Sequence, residues 1–224
     1  LTVTPNENST GNIVVSTKAG IVTDLAGNKN EEAKTIKQAY DTKAPTFEIT
    51  KDKDGVTNED VTFEILFSEE VKGFSTDVIN ISGSRFEKLT GSGDTYTLVA
   101  TPDNNYEGNM SLEINSGAVE DLAGNENDDG YTITQVIDTK SPELNIVLID
   151  SQDLKFKFSF SEDVEGFESN KISVSGGKAG EFSDHGDYYT LKVTPDENSL
   201  GSIEINVGKG AAADSAGNLI SAEN

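Results

Sequence analysis

A five-residue motif recurs three times along the chain and sets the organisation of the residues between its copies. It reads Asp-Leu-Ala-Gly-Asn at residues 24–28 and 121–125, and Asp-Ser-Ala-Gly-Asn at residues 214–218. The copies are about 95 residues apart, a spacing that accommodates one small domain. A second motif, Asp-Thr-Lys-x-Pro, follows the first two copies at residues 41–45 and 138–142. The sequence therefore predicts a tandem series of similar domains joined by short linkers.

The two motifs divide the chain into one complete unit and two partial ones. Residues 1–43 are predicted to be the C-terminal part of a truncated unit, residues 44–140 a complete unit, and residues 141–224 a unit that lacks its last strand. The complete unit is long enough to bury its own hydrophobic core. Residue 1 lies in a strand pattern and not in a signal peptide, so we expect a segment cut from a longer protein.

The complete unit contains seven short segments in which apolar and polar residues alternate, the pattern of half-buried strands. Turn residues separate these segments, and only Gly117–Asn125 is expected to form a helical turn. The predicted strands lie at 47–50, 61–67, 79–81, 86–89, 96–100, 110–114 and 131–137. The predicted fold class is therefore all-β, with tandem immunoglobulin-like seven-strand antiparallel β-sandwiches.

The flanking units repeat this pattern. Strands are predicted at 1–4, 13–17 and 35–40 in the first unit, and at 154–160, 189–193 and 203–207 in the third. The five prolines either end the fifth strand of a unit or open a unit, since proline cannot donate to a β-ladder.

Charge and composition exclude several classes of partner. The chain has 40 acidic and 17 basic residues and a net charge of −23, which argues against nucleic acid or an anionic membrane surface as partner. No apolar run is long enough for membrane insertion. The absence of cysteine excludes disulfides and thiolate metal sites, and together with the β-rich composition it favours an exported bacterial surface protein.

A third motif carries a resemblance to a known family. It reads Phe-Ser-Glu-x-Val-x-Gly-Phe at residues 67–74 and 160–167, in fixed order with the two motifs above. The chain resembles the bacterial Ig-like repeats of giant surface adhesins and biofilm-associated proteins. The resemblance implies an extracellular or cell-surface tandem stalk that extends a binding tip, often with calcium at the junctions. It does not imply that these units bind a receptor themselves.

Strand parity predicts where cations would bind. In an antiparallel seven-strand unit, the loops after strands two, four and six return to the end at which the chain enters. The linker aspartate, the loop after strand two and the Asp-x-Ala-Gly-Asn loop should therefore meet at each junction. Such carboxylates repel one another unless they are neutralised, and their oxygens suit Ca²⁺. The candidate ligands are Asp41, Glu69 or Glu70, Asp121 and Asn125 at the first junction, and Asp138, Glu162 or Asp163, Asp214 and Asn218 at the second.

The preceding unit is expected to face the same junction with its opposite end. There the sequence offers residues 103–105 or the turn that contains Asp52 and Asp54. That turn resembles an EF-hand only superficially: with Gly55 at loop position six, Val61 occupies the place of the bidentate glutamate.

A purely structural role for the same residues remains open. Aspartate before a turn and asparagine beside glycine recur because their side chains cap loops and tolerate a left-handed backbone. A single aspartate of these motifs is thus explained by capping, whereas the meeting of three acidic segments favours a cation.

No enzymatic site is expected. His185 is the only histidine and lies in a predicted hairpin turn, and no glycine-rich phosphate loop connects a strand to a helix. We predict a non-enzymatic stalk segment of a secreted or cell-surface bacterial adhesin, stiffened by calcium where neighbouring Ig-like repeats meet. The alternatives are a ligand-binding Ig-like module, whose loops should differ between repeats, and an accessory domain of an extracellular hydrolase.

The ends of the chain suggest a contact between molecules. The third unit is expected to expose the edge of its sixth strand, and the first unit supplies a spare last strand at residues 35–40. Because an open edge invites strand addition, head-to-tail strand exchange between copies is predicted.

Overall fold

The computed structural model describes residues 1–198 and 200–220, and strands are its main regular structure. The expected fold class, tandem immunoglobulin-like antiparallel β-sandwiches, is confirmed. The helices of the described residues are two 3₁₀ turns, at Thr76–Val78 and Ser169–Lys171. No helix in this part of the chain is long and apolar enough to span a membrane.

The first unit contributes a two-stranded antiparallel hairpin of β1 (Thr10–Thr17) and β2 (Lys34–Asp41). The strand predicted at residues 1–4 was wrong, because residues 1–9 form no strand. No strand in the described part of the chain lies beside this segment, and the Leu1 side chain is fully exposed. An alternating pattern forms a strand only where a neighbouring strand can satisfy its backbone groups.

The complete unit folds as two facing sheets. Its strands are β3 (Phe47–Lys51), β4 (Val56–Thr57), β5 (Val61–Phe67), β6 (Val71–Lys72), β7 (Ile79–Ser82), β8 (Ser84–Ser92), β9 (Thr95–Pro102), β10 (Glu107–Ile114), β11 (Glu120–Asp121) and β12 (Tyr131–Asp138). One sheet has the order β3-β5-β9-β8 and the other β4-β12-β10-β7. β4 pairs parallel with β12, and the other pairings are antiparallel. This is the layout of an immunoglobulin-like sandwich.

The core of this unit lies between the two sheets. Val61, Phe63 and Ile65 of β5 are fully buried, and they face a second sheet in which Met110 and Leu112 of β10 are also fully buried. Each such side chain contributes about 1.5–3 kcal/mol by leaving water. The alternation along β5 therefore determines which face of the sheet is internal. The packing of that face in the core holds the loops at both ends of the sandwich in place.

The third unit repeats this layout. Its strands are β13 (Leu144–Asp150), β14 (Lys155–Phe160), β15 (Ile172–Ser175), β16 (Gly177–Asp184), β17 (Tyr189–Pro195) and β18 (Glu204–Val207). The sheets have the orders β13-β14-β17-β16 and β15-β18. Leu154 was expected to begin a strand, but it adopts a left-handed backbone (φ 46°) in the preceding turn. Ile203 likewise lies just before β18.

The helical turn predicted at Gly117–Asn125 was wrong. Residues 120 and 121 form β11, which pairs with β6 so that Asp121 lies opposite Val71. The buried Asn127 side chain accepts a hydrogen bond from the N–H of Val119 at 3.0 Å and donates one to the carbonyl of Asn115 at 2.9 Å. These side-chain bonds occupy backbone groups that a helical turn would need.

Candidate metal centres at the domain junctions

Each linker begins with an aspartate that ends the last strand of the preceding unit. Asp41 ends β2 and Asp138 ends β12. Their Oδ1 atoms accept hydrogen bonds from the N–H groups of Lys43 and Lys140, both at 2.9 Å. This bond closes a turn of the type that aspartate favours. The carboxylate is thereby fixed at the entrance of the following unit.

The threonine after each aspartate ties the linker to the preceding unit. Thr139 Oγ1 donates to the carbonyl of Asp103 at 2.7 Å and accepts from the N–H of Tyr106 at 2.9 Å. Thr42 accepts the matching bond from the N–H of Ser9 at 3.1 Å. Asp103, one of the residues expected to face the junction, thus accepts a hydrogen bond from the linker through its main-chain carbonyl. These bonds restrict the movement of the linker relative to the preceding unit.

The loop after the second strand is folded by its aromatic ends. The rings of Phe67 and Phe74 pack edge to face, with centroids 5.2 Å apart, and Val71 between them in sequence is buried. Gly73 closes the turn with a φ of +83°, which residues with a side chain rarely adopt. The third unit repeats the arrangement, with its two phenylalanine rings 5.1 Å apart. This packing holds Glu69 at the entrance of the sandwich.

The Asp-x-Ala-Gly-Asn loop is shaped by its own aspartate. Asp121 Oδ1 accepts from the N–H groups of Ala123 at 2.8 Å and Asn125 at 2.9 Å, and Oδ2 accepts from Asn125 Nδ2 at 2.8 Å. Gly124 has a φ of +94°. The loops at Asp24 and Asp214 make the same three bonds. The aspartate of each loop therefore caps its own turn, which is the structural role that the sequence left open.

Three carboxylates meet at each junction. At the first, Asp41, Glu69 and Asp121 each offer one oxygen, and these oxygens lie within 4.8 Å of one another. The second junction has the equivalent group of Asp138, Glu162 and Asp214. The β6–β11 pairing brings the Asp121 loop beside the Glu69 loop, and the linker turn adds the third carboxylate. Asp121 and Asp214 are buried, and the other four residues are half-buried.

The remaining acidic candidates are not members of the two carboxylate groups. Of each acidic pair after the second strand, Glu69 and Glu162 join the group, whereas Glu70 and Asp163 do not. Asp52 instead caps its own turn, where its Oδ1 accepts from the N–H of Thr62 at 2.8 Å.

The two candidate asparagines connect the loop to the linker. Asn125 Nδ2 donates to the carbonyl of Asp41 at 3.3 Å, and Asn218 Nδ2 donates to the carbonyl of Asp138 at 2.8 Å. Asn218 Oδ1 accepts a hydrogen bond from Asn58 Nδ2 of the preceding unit at 3.0 Å. Both side chains thus position the carboxylates through protein contacts.

The electrostatics of the groups disfavour three negative charges. Burial and the nearby charges of Asp41 and Asp121 raise the pKa of Glu69 above its ordinary value of 4.5. At Asp121, burial opposes ionisation, but the hydrogen bonds from Asn125 and its neighbours outweigh burial and lower the pKa below 3.8. The aspartate therefore stays ionised, and the adjacent glutamate bears the repulsion.

The second group has one more acidic residue beside it than the first. Burial and the charges of Asp138, Asp214 and Glu107 raise the pKa of Glu162. Glu107 belongs to the preceding unit, where it lies opposite Asp138 in the β10–β12 pairing, and Thr10 holds the matching position in β1.

Sequence reasoning missed Glu107 and Asn58. Glu107 had a usable signal, because the start of the sixth strand lies at the unit's far end, beside the linker. The Asn58 contact joins residues 160 positions apart and had no local signal.

Comparisons with known proteins agree with this architecture. The family described as "Bacterial Ig-like domain" matches the chain twice, at residues 41–136 and 138–224. The chain therefore belongs to the bacterial Ig-like domain family, and the resemblance expected from its motifs is confirmed. Domains of this family are of a non-catalytic kind.

Structural and curated comparisons add little beyond the family. The chain is similar to the crystal structure of invasin, described as a bacterial integrin-binding protein, with 11% sequence identity and a TM-score of 0.37. The similarity covers 87% of this chain and 49% of that one, so the chain spans about half the length of invasin. No curated protein matches the chain at a significant level.

Proposed function

We propose that the chain is a non-enzymatic stalk segment of a secreted or cell-surface bacterial adhesin, and that Ca²⁺ bound at each junction stiffens it. The observation that carries this proposal is the recurrence of one three-carboxylate group at both junctions. Each group combines the linker with two loops of the following unit. A recurring site between repeats supports a mechanical role, because an active site or receptor site would not need to recur at every linker.

The spacing and type of the oxygens suit calcium. Two oxygens bound to one Ca²⁺ at about 2.3–2.6 Å are at most about 5 Å apart. The oxygens of each group lie within 4.8 Å of one another, a spacing that small side-chain adjustments would bring into the range for one shared ion. Three carboxylates leave coordination positions for water, and such sites in extracellular modules have dissociation constants of about 10⁻⁴–10⁻³ M.

Bound calcium would couple neighbouring units through the linker aspartate. Thr139 binds the linker to the preceding unit, while Glu162 and Asp214 belong to the following one. An ion shared by Asp138 and these two residues would therefore join both units at a single point. Without the ion, repulsion among the carboxylates would favour separation of the linker from the loops.

A calorimetric titration with matched variants tests the proposal. The wild-type chain should bind two Ca²⁺ ions, whereas Glu69→Gln and Glu162→Gln should each remove one of them. Glu70→Gln and Asp163→Asn are the matched controls, since these neighbouring acids change the net charge equally but lie outside the groups. Equal binding by the site and control variants would disprove calcium binding at these groups.

Small-angle X-ray scattering tests the mechanical part separately. With calcium, the wild-type chain should give the profile of an extended particle with fixed domain orientations, and a chelator should broaden the distribution of distances. The double variant Glu69→Gln/Glu162→Gln should not respond to calcium. Ion binding with an unchanged scattering profile would leave a calcium site but reject the stiffening.

A further inference from the structure

The outer face of one sheet carries opposite charges in the complete unit and the third unit. This sheet is β3-β5-β9-β8 in the complete unit and β13-β14-β17-β16 in the third, so each unit contains all four of its strands. The Phe-Ser-Glu-x-Val-x-Gly-Phe motif at the end of the second strand aligns β5 with β14. Glu64 of β5 then corresponds to Lys157 of β14, and Thr62 corresponds to Lys155. A glutamate of one unit is thus a lysine at the same position of the next.

The strand registers agree with this correspondence. Glu64 lies opposite Thr50 of β3, and Lys157 lies opposite Val147 of β13. Both charged residues are next to fully buried core residues of their own strands. Because side chains alternate between the two faces of a sheet, Glu64 and Lys157 both lie on the outer face. The last strand of a unit joins the other sheet, as β12 does, so it has no part in this surface.

The outer face of the third unit has a local positive charge. Lys155 lies directly opposite Lys192 of β17, and Lys157 lies on the same face of β14. Lys192 forms an ion pair with Asp153 at 2.8 Å, whereas Lys155 and Lys157 form no ion pair with any described residue. Like charges directly opposite each other destabilise a sheet. In a chain with a net charge of −23, this face is stabilised by an acidic partner.

Aromatic contacts hold the ammonium group of Lys157 in place. Its Nζ atom lies 4.5 Å from the centroid of the Tyr188 ring, and this ring stacks on His185 with centroids 4.6 Å apart. A hydrogen bond of 3.1 Å joins His185 Nε2 to Thr190 Oγ1. In the complete unit, Thr95 occupies the position of Tyr188. A cation that is already fixed loses less side-chain entropy when it meets a carboxylate.

The complete unit offers the complementary surface. Glu48 and Glu64 are exposed and form no ion pair within the described part of the chain. Glu48 lies directly opposite Leu66, which is 52% exposed, and Glu64 lies on the same face of β5. In the third unit, Val147 lies opposite Lys157 and is 44% exposed. Each face therefore combines an apolar side chain with unpaired charges, and the signs of the charges are opposite.

We propose that the outer face of the β5 sheet in one molecule packs against the outer face of the β14 sheet in a second copy, so that the segments associate side by side. Two equivalent faces that pack about a local twofold axis bring equivalent positions together on that axis. The opposite charges of Glu64 and Lys157 then favour this contact over the pairing of two like faces.

The net negative charge of the chain opposes association at long range. At an ionic strength of about 0.15 M, the Debye length is about 8 Å, so salt weakens this repulsion more than it weakens a partly buried pair at the contact. Neither face contains a residue of the junction carboxylate groups. The inference therefore goes beyond calcium stiffening and does not depend on it.

Exchange of the two charges tests the contact. In chelator and about 0.15 M salt, sedimentation velocity of the wild-type chain at increasing concentration should show reversible association. Lys157→Glu and Glu64→Lys should each weaken this association by about tenfold, because like charges then face each other. An equal mixture of the two variants should associate as the wild type does, since each chain supplies the charge that the other lacks. Recovery in the mixture also shows that both variants are folded.

Two further reversals provide the controls. Lys171→Glu and Asp77→Lys change the net charge equally at exposed positions in the 3₁₀ turns, outside both faces. They should associate as the wild type does, alone or mixed. A wild-type chain that stays monomeric at every concentration would overturn the proposal, including the case in which the lysines bind a different acidic partner. Weakening by Lys157→Glu alone, or a mixture that fails to recover, would overturn it as well.

An apolar substitution gives a readout that is independent of charge. Leu66→Ser introduces the residue that the third unit has at the same position, and it should weaken association by about fivefold. Leu122→Ser is the matched control, since Leu122 is 59% exposed but lies in a loop outside both faces. Equal association by the two variants would reject the β5 face as the contact surface. Because the measurements are made in chelator, their failure would leave calcium binding and stiffening unaffected.

Discussion

Asn218 Nδ2 donates a hydrogen bond to the main-chain carbonyl of Asp138 at 2.8 Å, so a loop at the end of the third unit holds the linker at its beginning. The matching bond from Asn125 to Asp41 is longer, at 3.3 Å. Asn218 also accepts a hydrogen bond from Asn58, which lies in the preceding unit. One buried amide thus connects a loop, a linker and a neighbouring domain.

Replacement of this amide should destabilise the third unit. Asn218→Ala removes the bonds to Asp138, Asp214 and Asn58, and leaves buried groups without partners. We expect a loss of about 1–3 kcal/mol in the free energy of unfolding, measured by calorimetry or denaturant titration. Asn28→Ala removes the same loop bond at an exposed position and should have a much smaller effect. Equal losses in both variants would contradict the role of the linker contact.

The left-handed glycine of the loop should be intolerant of a side chain. Gly124 has a φ of +94° but no atom within 4 Å of an added Cβ, so Gly124→Ala introduces backbone strain without a clash. We expect a loss of about 1–2 kcal/mol in unfolding free energy and weaker calcium binding at the first junction. Gly208→Ala is the control, since that residue is equally unobstructed and has no positive φ. A neutral Gly124→Ala would show that the loop does not need this conformation.

The linker threonine should control the coupling between units. Thr139→Val keeps the shape of the side chain but removes its bonds to the carbonyl of Asp103 and the N–H of Tyr106. We expect a loss of about 1–2 kcal/mol in the free energy of unfolding. We also expect a broader distance distribution in small-angle scattering, even with calcium present. Thr132→Val changes an exposed threonine of the adjacent strand and should leave the scattering profile unchanged.

The acidic groups should make calcium-free stability depend on pH. Burial and adjacent carboxylates raise the pKa of Glu69 and Glu162 above 4.5, so the folded chain binds protons more readily than the unfolded chain. The stabilising contribution of these protons is fully present below 4.5, and it is lost as the pH rises through the raised pKa. In chelator, Glu69→Gln/Glu162→Gln should therefore be more stable than wild type at neutral pH.

The difference in stability between the wild-type chain and the double variant Glu69→Gln/Glu162→Gln should disappear below about pH 4.5. Calcium at neutral pH should reverse the order, because only the wild-type chain gains stability from the ion. Thermal unfolding measured from below pH 4.5 to neutral pH, with and without calcium, checks both predicted orders of stability. A variant less stable than wild type at neutral pH in chelator would contradict the predicted repulsion.

Much of the fold was predictable from short-range patterns. The alternation of Val61, Phe63 and Ile65 predicted a strand with one buried face, and that face forms the core. The Asp-x-Ala-Gly-Asn motif predicted a capped turn, because its three hydrogen bonds join residues at most four positions apart. Strand parity then predicted that three acidic segments meet at the entrance of each unit, as the structure shows.

The failures have equally specific causes. Residues 1–4 have the pattern of a strand, but a strand requires a partner that the described chain does not supply. Residues 117–125 looked suitable for a helical turn, yet the buried Asn127 and the pairing of β11 with β6 impose an extended conformation. In both cases the outcome depended on residues outside the segment.

The sequence by itself determined the tandem repeat, the positions of the long core strands and the acidic character of the junctions, because these follow from alternation, turn residues and strand direction. Only the tertiary structure decided that Glu69 joins the first group and Glu70 does not, and that Asn218 contacts Asn58 across the junction. Such choices depend on the register and packing between distant segments. Local sequence rules specify the direction of a chain, but they do not specify which neighbouring atoms it meets.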